Sequence, residues 1–546
     1  MNLSRTARIE LVSALFLTAV CFASSAGLPG LADTIIVRDW LVAGPFPVGV
    51  REGIAGVVED PAELNPVAGE TLRSALVQGG VVTWRKLEAD SLGWLETAYE
   101  SVRWDSIQDY WGVAGLMAAG FACAEIDVPV ACRALAVATK LSGFTLNGRG
   151  YLGDVYGKGW FRTPVLLDSG RNRVVLRLTG FGDQRVRFAL LPVSEPLITI
   201  VADATVPDLI GDSARTHWLG IPFLNTMTSR LDSVRLTFAL NGSTLADTTI
   251  SGLAPLCIAK PALRVPFPAL PADTLPALLS LAVRWRNFER LDTLRLRVRN
   301  LSSPHKMTFV SGIDSSCQYY AVLYPKDYDR SKRYGLILSL HGAGVEAAGL
   351  AECFRPKEWT FVVCPTNRRP FGFDWQDWGR LDAIEVLDRA LADLPIDPDR
   401  VVLTGHSMGG HGVWHIGLTH ADRFAAAAPA AGWSTLQLYV PTFLQRSVIF
   451  ADPARLVFRD MALRPDNTPA MLANALNLPL FILHGADDDN VPPVHGRQFA
   501  TWLDELGYSY QFKEVPGVKH WWNYPDTTVC VDDPDLIGRA SCRERV

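Results

Sequence analysis

Cysteine is scarce in this chain: nine in 546 residues, with no C-x-x-C and no paired Cys/His spacing. That excludes a disulfide-dense scaffold and gives no sign of a zinc site. There is no basic excess either. Lys and Arg number 52 against 57 Asp and Glu, a formal net charge of −5. This argues against a nucleic-acid partner, which selects a basic face. The one long apolar run, Leu11 to Phe22, is short of the ~20 residues a spanning helix needs. No segment recurs at the length of a propeller blade, which argues against a β-propeller. What is present is ordinary core material: 48% hydrophobic and 10% aromatic residues, too much for low-complexity disorder. At ~150 residues per domain, the length predicts three or four domains.

Both ends read as something other than mature protein. Arg5 and Arg8 precede the apolar run, and Ala23-Ser-Ser-Ala26 follows it. A basic start, a short apolar core and small residues predict a signal peptide over 1–26. The mature chain is then expected in the secreted or periplasmic space, with no integral membrane span. Val20 before Cys21 does not fit a lipoprotein signal. The last ten residues, Ile537-Gly-Arg-Ala-Ser-Cys-Arg-Glu-Arg-Val546, resemble the conceptual translation of a sequencing adaptor, which would end the native frame near Leu536. Both ends carry net positive charge, so the segment between them is more acidic than the total. It holds Cys123, Cys132, Cys257, Cys317, Cys353, Cys364 and Cys530. An oxidising compartment would allow a bridge or two, the nearest pairs being Cys123–Cys132 and Cys353–Cys364.

Between the ends the texture changes twice. From Asp33 to about Val193, short β-like runs alternate with Gly, Asp and Asn, and helical periodicity is weak. Asn147-Gly148 signals a tight turn, and Asn172–Thr179 interleaves apolar and basic residues as a strand does. A β-sandwich of jelly-roll kind is expected over 33–193. A second β-rich region is expected over 194–300. There Ser233–Leu240 runs into another turn, Asn241-Gly242, and Leu291–Arg299 alternates with period two. Prolines between Pro255 and Pro276 forbid a helix there. From Ser303, apolar strands alternate with helical stretches, the signature of a parallel α/β sheet. The strand runs are Gly335–Leu340, Thr360–Cys364, Arg400–Thr404 and Leu478–Leu483, with a helical stretch over Leu381–Leu391. The expected architecture is therefore two N-terminal β-sandwich domains followed by a doubly wound, mostly parallel α/β domain over 303–536.

The chemistry concentrates in that last domain. Strand Arg400–Thr404 runs into Gly405-His-Ser407-Met-Gly409-Gly410 and then a helical stretch through Trp414. This is G-x-S-x-G in the strand–turn–helix setting that pushes a serine outward as a nucleophile. A serine hydroxyl needs a base, and the base an acid to orient it. The loop after Leu478–Leu483 carries Asp487-Asp488-Asp489, and its chemistry alone leaves open which aspartate serves. The others would solvate the loop or cap the helical stretch His495–Leu506. His520, in Glu514–Trp522, is the expected general base. Attack on a carbonyl also needs two N–H donors for the oxyanion. The backbone of Met408 supplies one. The loop Leu340-His-Gly342-Ala343-Gly344 supplies the other, through Ala343 with Gly342 as the alternative. His411 and His415 stand one helical turn apart, a spacing compatible with a metal, but no HExxH carboxylate accompanies them. They are expected to pack or to hydrogen-bond, and His406 to pack in the turn. Trp375, Trp378, Trp433, Trp521 and Trp522 lie in or beside the predicted site loops, as an aromatic substrate platform or as core.

These motifs resemble a known superfamily. Ile396-Asp-Pro-Asp-Arg-Val-Val-Leu-Thr-Gly-His-Ser-Met-Gly-Gly-His-Gly-Val-Trp414, with Phe424-Ala425 and Ala428-Pro429, is similar to the α/β-hydrolases, and to their prolyl-oligopeptidase branch and its secreted esterase relatives. His484-Gly-Ala-Asp-Asp488-Asp-Asn-Val491-Pro492 resembles the H-G-x-x-D-x-x-V-P pattern of serine hydrolases, which selects Asp488. The resemblance implies a Ser407–Asp488–His520 triad with no metal and no organic cofactor. It implies an ester or peptide substrate, the ester small or carbohydrate-linked. A departure lies upstream: classical prolyl oligopeptidases carry a propeller, and this chain reads as β-sandwiches. That favours ester chemistry, with oligopeptidase-like cleavage as the alternative and a vestigial, non-enzymatic domain as the third. Phe144–Gly148 and Asp168–Asn172 resemble the galactose-binding-like modules attached to many secreted hydrolases.

Overall fold

The protein was analysed as a computed structural model that describes residues 34–47, 60, 63–74, 76–99, 102–111, 116–271, 276–368, 372–439, 453–526 and 528–536. The expected signal peptide and adaptor-like tail lie outside the described residues. Among those described, no helix is long and apolar enough to cross a membrane. All seven described cysteines are free thiols, so neither anticipated bridge forms.

The region before residue 193 is built from antiparallel sheets. Met117–Val128 and Gly170–Phe181 pair along their whole lengths, from Gly170 opposite Val128 to Phe181 opposite Met117. Gly143–Leu146 and Arg149–Leu152 extend that sheet on one side, and Asp39–Pro47 and Arg85–Glu88 on the other. The turn between Gly143–Leu146 and Arg149–Leu152 is Asn147-Gly148, with φ of 50° and 80°, the left-handed pair that a two-residue hairpin turn requires. A second sheet holds Gln184–Pro192, Cys132–Thr139 and Thr163–Leu167. One apolar core fills the space between the sheets, with Trp40, Phe144, Leu176 and Phe188 in it. The Trp40 and Phe188 rings meet edge to face at 6.1 Å.

The region from Leu197 to Arg299 has its own core, including Phe223, Phe238, Leu281 and Leu296. Its largest sheet orders Ser243–Ile250, Val234–Leu240, Ala277–Trp285 and Phe288–Leu296. Alternate residues of Ala277–Val283 are buried, as period-two sequences demand when one face is covered. Polar contacts tie the regions together. Arg133 of the first hydrogen-bonds Thr226 of the second at 3.0 Å. Asp208 of the second accepts the Lys306 N–H of the third at 2.8 Å.

The third region holds a single eight-stranded sheet. In chain order its strands are β1 His305–Val310, β2 Cys317–Leu323, β3 Tyr334–Leu340, β4 Thr360–Cys364, β5 Ile396–His406, β6 Ala426–Ala430, β7 Leu480–Gly485 and β8 Tyr510–Val515. Their spatial order is β1-β2-β4-β3-β5-β6-β7-β8. Pairing is antiparallel between β1 and β2 and between β2 and β4, and parallel from there on. The strand Gly335–Leu340 is thus the third of the sheet. β1 and β2 are not among the expected strands; β1 mixes polar and apolar residues, whereas β2 carries the buried run Tyr319–Leu323. Three helices are needed below: α1 Trp378–Asp393, α2 Met408–Thr419 and α3 Val494–Leu506. The completely buried strands β3 and β4 explain why this domain reads as apolar runs, since helices cover a parallel sheet on both faces. The candidate site residues all stand on loops at the carboxyl ends of these parallel strands, where such sheets place their sites.

Candidate active site

Ser407 joins β5 to α2 at φ 61° and ψ −123°. A non-glycine residue there is strained, and such strain is stored where a side chain must be aimed. The turn depends on glycines that bring no Cβ into its close contacts. A Cβ on Gly409 would sit 2.0 Å from the Leu340 carbonyl oxygen, and one on Gly410 would sit 2.2 Å from that of Ala430. Only glycine lets α2 approach β3 and β6 this closely. The Ser407 N–H is held by the Ala430 carbonyl at 2.9 Å, which anchors the turn to the neighbouring strand.

The loop after β7 brings an acid to a histidine. Asp488 Oδ2 lies 2.8 Å from His520 Nδ1. Its other oxygen accepts the N–H groups of Asn490 and Val491, both at 2.9 Å, and His484 Nε2 lies 3.3 Å from Oδ2. Burial alone would raise the Asp488 carboxyl. The hydrogen bonds from His484 and His520 overcome it and hold the acid well below the usual carboxylate range. The neighbouring aspartates face elsewhere: Asp489 pairs with exposed Lys519 at 2.7 Å, and the Asp487 N–H donates to the Val518 carbonyl.

His520 is carried against the serine turn by its neighbour. The His406 ring, one residue before Ser407, stands 4.8 Å from the His520 ring, and His406 Nε2 donates to the His520 carbonyl at 2.7 Å. Burial first, then the nearby His520, push His406 down to about 3, so it stays neutral and donates from one nitrogen only. Val518 and Lys519 carbonyls pass within 2.8 and 2.4 Å of where a Gly485 Cβ would stand, so the histidine loop lies directly over the end of β7.

The loop after β3 lies beside Ser407. A Cβ on Gly342 would stand 3.5 Å from the Ser407 Cβ. The loop closes on itself through the Val345 N–H to the Gly342 carbonyl at 3.2 Å. The buried His341 ring reaches the same carbonyl at 2.9 Å. Ala343 is therefore the middle of a turn packed on Ser407, and Met408 is the first residue of α2.

The remaining sequence candidates separate. His411 hydrogen-bonds the Trp433 carbonyl at 3.1 Å and faces Gln376 at 3.0 Å; its ring stacks on Trp433. His415 is buried beside it. Among the described residues no cluster of His, Cys, Asp and Glu could hold a metal. The five tryptophans do not form one platform. Trp375, Trp433 and Trp522 are core, with Trp375 donating to the His341 carbonyl. Trp378 and Trp521 are exposed, and Trp521 packs edge-on against His406. Two residues were missed as contributors by the sequence: His484, the second imidazole at Asp488, and His406 as the link to His520. His484 lies inside the quoted H-G-x-x-D run, so its signal was visible.

Residues 368–533 match the model of the prolyl oligopeptidase family. A protein of Arthroderma benhamiae named as an uncharacterized secreted protein is 25% identical, over 90% of this chain and 57% of its own length. Dipeptidyl-peptidase 5 of Aspergillus fumigatus is 28% identical, over 38% of this chain and 32% of its own. The chain thus spans about half of the first relative and a third of the second. Among solved structures, one described as a thermostable esterase is 16% identical with a TM-score of 0.32, covering 63% of this chain and 100% of its own. Over residues 368–533 the C-terminal region is thus similar to the prolyl oligopeptidase family.

Proposed function

We propose that the chain is a secreted serine hydrolase that cleaves an acyl bond through Ser407, His520 and Asp488. The observation that carries this reading is the 2.8 Å contact between His520 Nδ1 and Asp488, with His520 held beside the strained Ser407 turn. In the reaction, Ser407 Oγ attacks the substrate carbonyl and its proton passes to His520 Nε2. Asp488 keeps the Nδ1–H in place and stabilises the imidazolium. The N–H groups of Met408 and Ala343 receive the developing oxyanion. The tetrahedral intermediate expels the leaving group, which takes the His520 proton, and an acyl-serine remains. Water, deprotonated by the same histidine, then attacks the acyl carbon, releases the acid and restores Ser407. None of these steps calls on a metal or a cofactor.

A peptide substrate is favoured by the relatives named dipeptidyl-peptidase. An ester substrate is favoured by the antiparallel sheets that precede the catalytic domain, where classical prolyl oligopeptidases carry a propeller. A carbohydrate link in that ester would rest on the galactose-binding-like resemblance alone. In this reading the chain divides near residues 193 and 300 into two β-domains and the hydrolase. Parallel assays of acyl esters and proline-containing peptides decide the leaving group. Peptide turnover well above ester turnover selects the peptidase, and the reverse selects the esterase.

A further inference from the structure

The first β-region reaches the loop after β3 through Tyr156. Tyr156 follows the strand Arg149–Leu152, in a turn that is built rather than loose. The Asp154 carboxylate accepts the N–H groups of Lys158 at 3.1 Å and Gly159 at 2.7 Å. The Asp154 carbonyl accepts the N–H groups of Lys140 at 2.7 Å and Gly157 at 3.1 Å, and its own N–H donates to Ala138. Asp154 is buried, and Gly157 and Gly159 take the positive φ values of 63° and 78° that close the turn. A rigid turn of this kind fixes where its tip points.

The tip points at the hydrolase domain. The Tyr156 ring covers Gly344, where a Cβ would meet two ring carbons at 3.6 and 3.8 Å. The Gly344 backbone also hydrogen-bonds the Tyr156 hydroxyl. Gly344 has φ 73°, so a side chain there would be strained as well as crowded by the ring. Gly344 ends the short loop whose Gly342 packs on Ser407. With its N–H engaged by tyrosine, Gly344 is not free to serve an oxyanion, which leaves Ala343 and its neighbour Gly342.

We propose that Tyr156 is a positioning residue of the reaction: by holding Gly344 it fixes the Ala343 N–H toward the oxyanion, so the first β-region completes the hydrolase site. This rests on the serine-hydrolase reading. It goes further in making catalysis depend on a residue far outside the family-matched segment. The hydroxyl is engaged by the loop backbone, so the dependence falls on the loop.

The test uses the full chain and Tyr156→Phe, which keeps the ring and removes the hydroxyl. Three quantities are read: steady-state ester or peptide kinetics, the rate of fluorophosphonate labelling at Ser407, and amide hydrogen exchange across Leu340–Val345. Losing one hydrogen bond at a preorganised loop is expected to lower kcat and the labelling rate about tenfold, with KM unchanged. Exchange at Gly344 should accelerate, with the thermal midpoint nearly unmoved. Labelling and kcat within twofold of wild type would overturn the proposal, as would a loss confined to KM or unchanged exchange at Gly344. A wild-type protein that takes no label would instead overturn the serine-hydrolase reading. The exchange data would still report whether Tyr156 holds the loop.

Discussion

The imidazole of His406 donates to the backbone carbonyl of His520 across a 2.7 Å contact, so the residue before Ser407 carries the loop that bears His520. Burial and the neighbouring His520 hold the His406 imidazole down to about 3, so it is neutral near neutral pH and can serve this role there. His406→Ala removes the donor and should lower kcat about tenfold with little change in KM, the size expected for one hydrogen bond at a positioned group. Steady-state kinetics on the variant check this.

Asp488→Asn and Asp489→Ala separate the neighbouring carboxylates. Asp488 is buried and holds His520, so its amide should present the wrong tautomer and cost ~10,000-fold in kcat. Asp489 is exposed and paired only with an exposed lysine, so its loss should leave kcat within about threefold. Measuring both variants with one substrate tests the assignment.

Gly409→Ala should fail at the level of folding. Its Cβ would collide with the Leu340 backbone oxygen, which cannot swing away as a side chain could. A cost of about 3 kcal/mol or more is expected, read as a large fall in the denaturant midpoint or loss of soluble protein.

Acid should destabilise the domain in a predictable window. His495, beside Ser434, is pushed down to about 4 by burial first and then by His484 and His411. The unfolded chain therefore binds a proton that the folded chain refuses. This stability is present above pH ~6.5 and is lost as pH falls toward about 4. Denaturant midpoints of His495→Gln should fall less steeply than wild type across that window.

Much of this was legible because two signals coincided. At Ser407, strand periodicity ran directly into a glycine-bracketed serine, so local pattern and chemistry located one turn. The histidine loop was visible as His520 alone, since no other histidine follows His495. What stayed hidden was set by tertiary neighbours. His406 looks like packing until the fold brings the His520 carbonyl to it. Trp375 and Trp378 look alike in sequence, yet one is buried under α2 and the other is exposed. Strand β1 was missed because it pairs antiparallel at the sheet edge and carries mixed residues. Tyr156 had no signal, because its partner lies on another domain.

The central claim is that Ser407 is an activated nucleophile, and a fluorophosphonate probe measures it most directly. The account predicts stoichiometric labelling of the wild-type chain that disappears in Ser407→Ala and slows strongly in Asp488→Asn. Wild-type protein that stays unlabelled, or label that persists in Ser407→Ala, would contradict it.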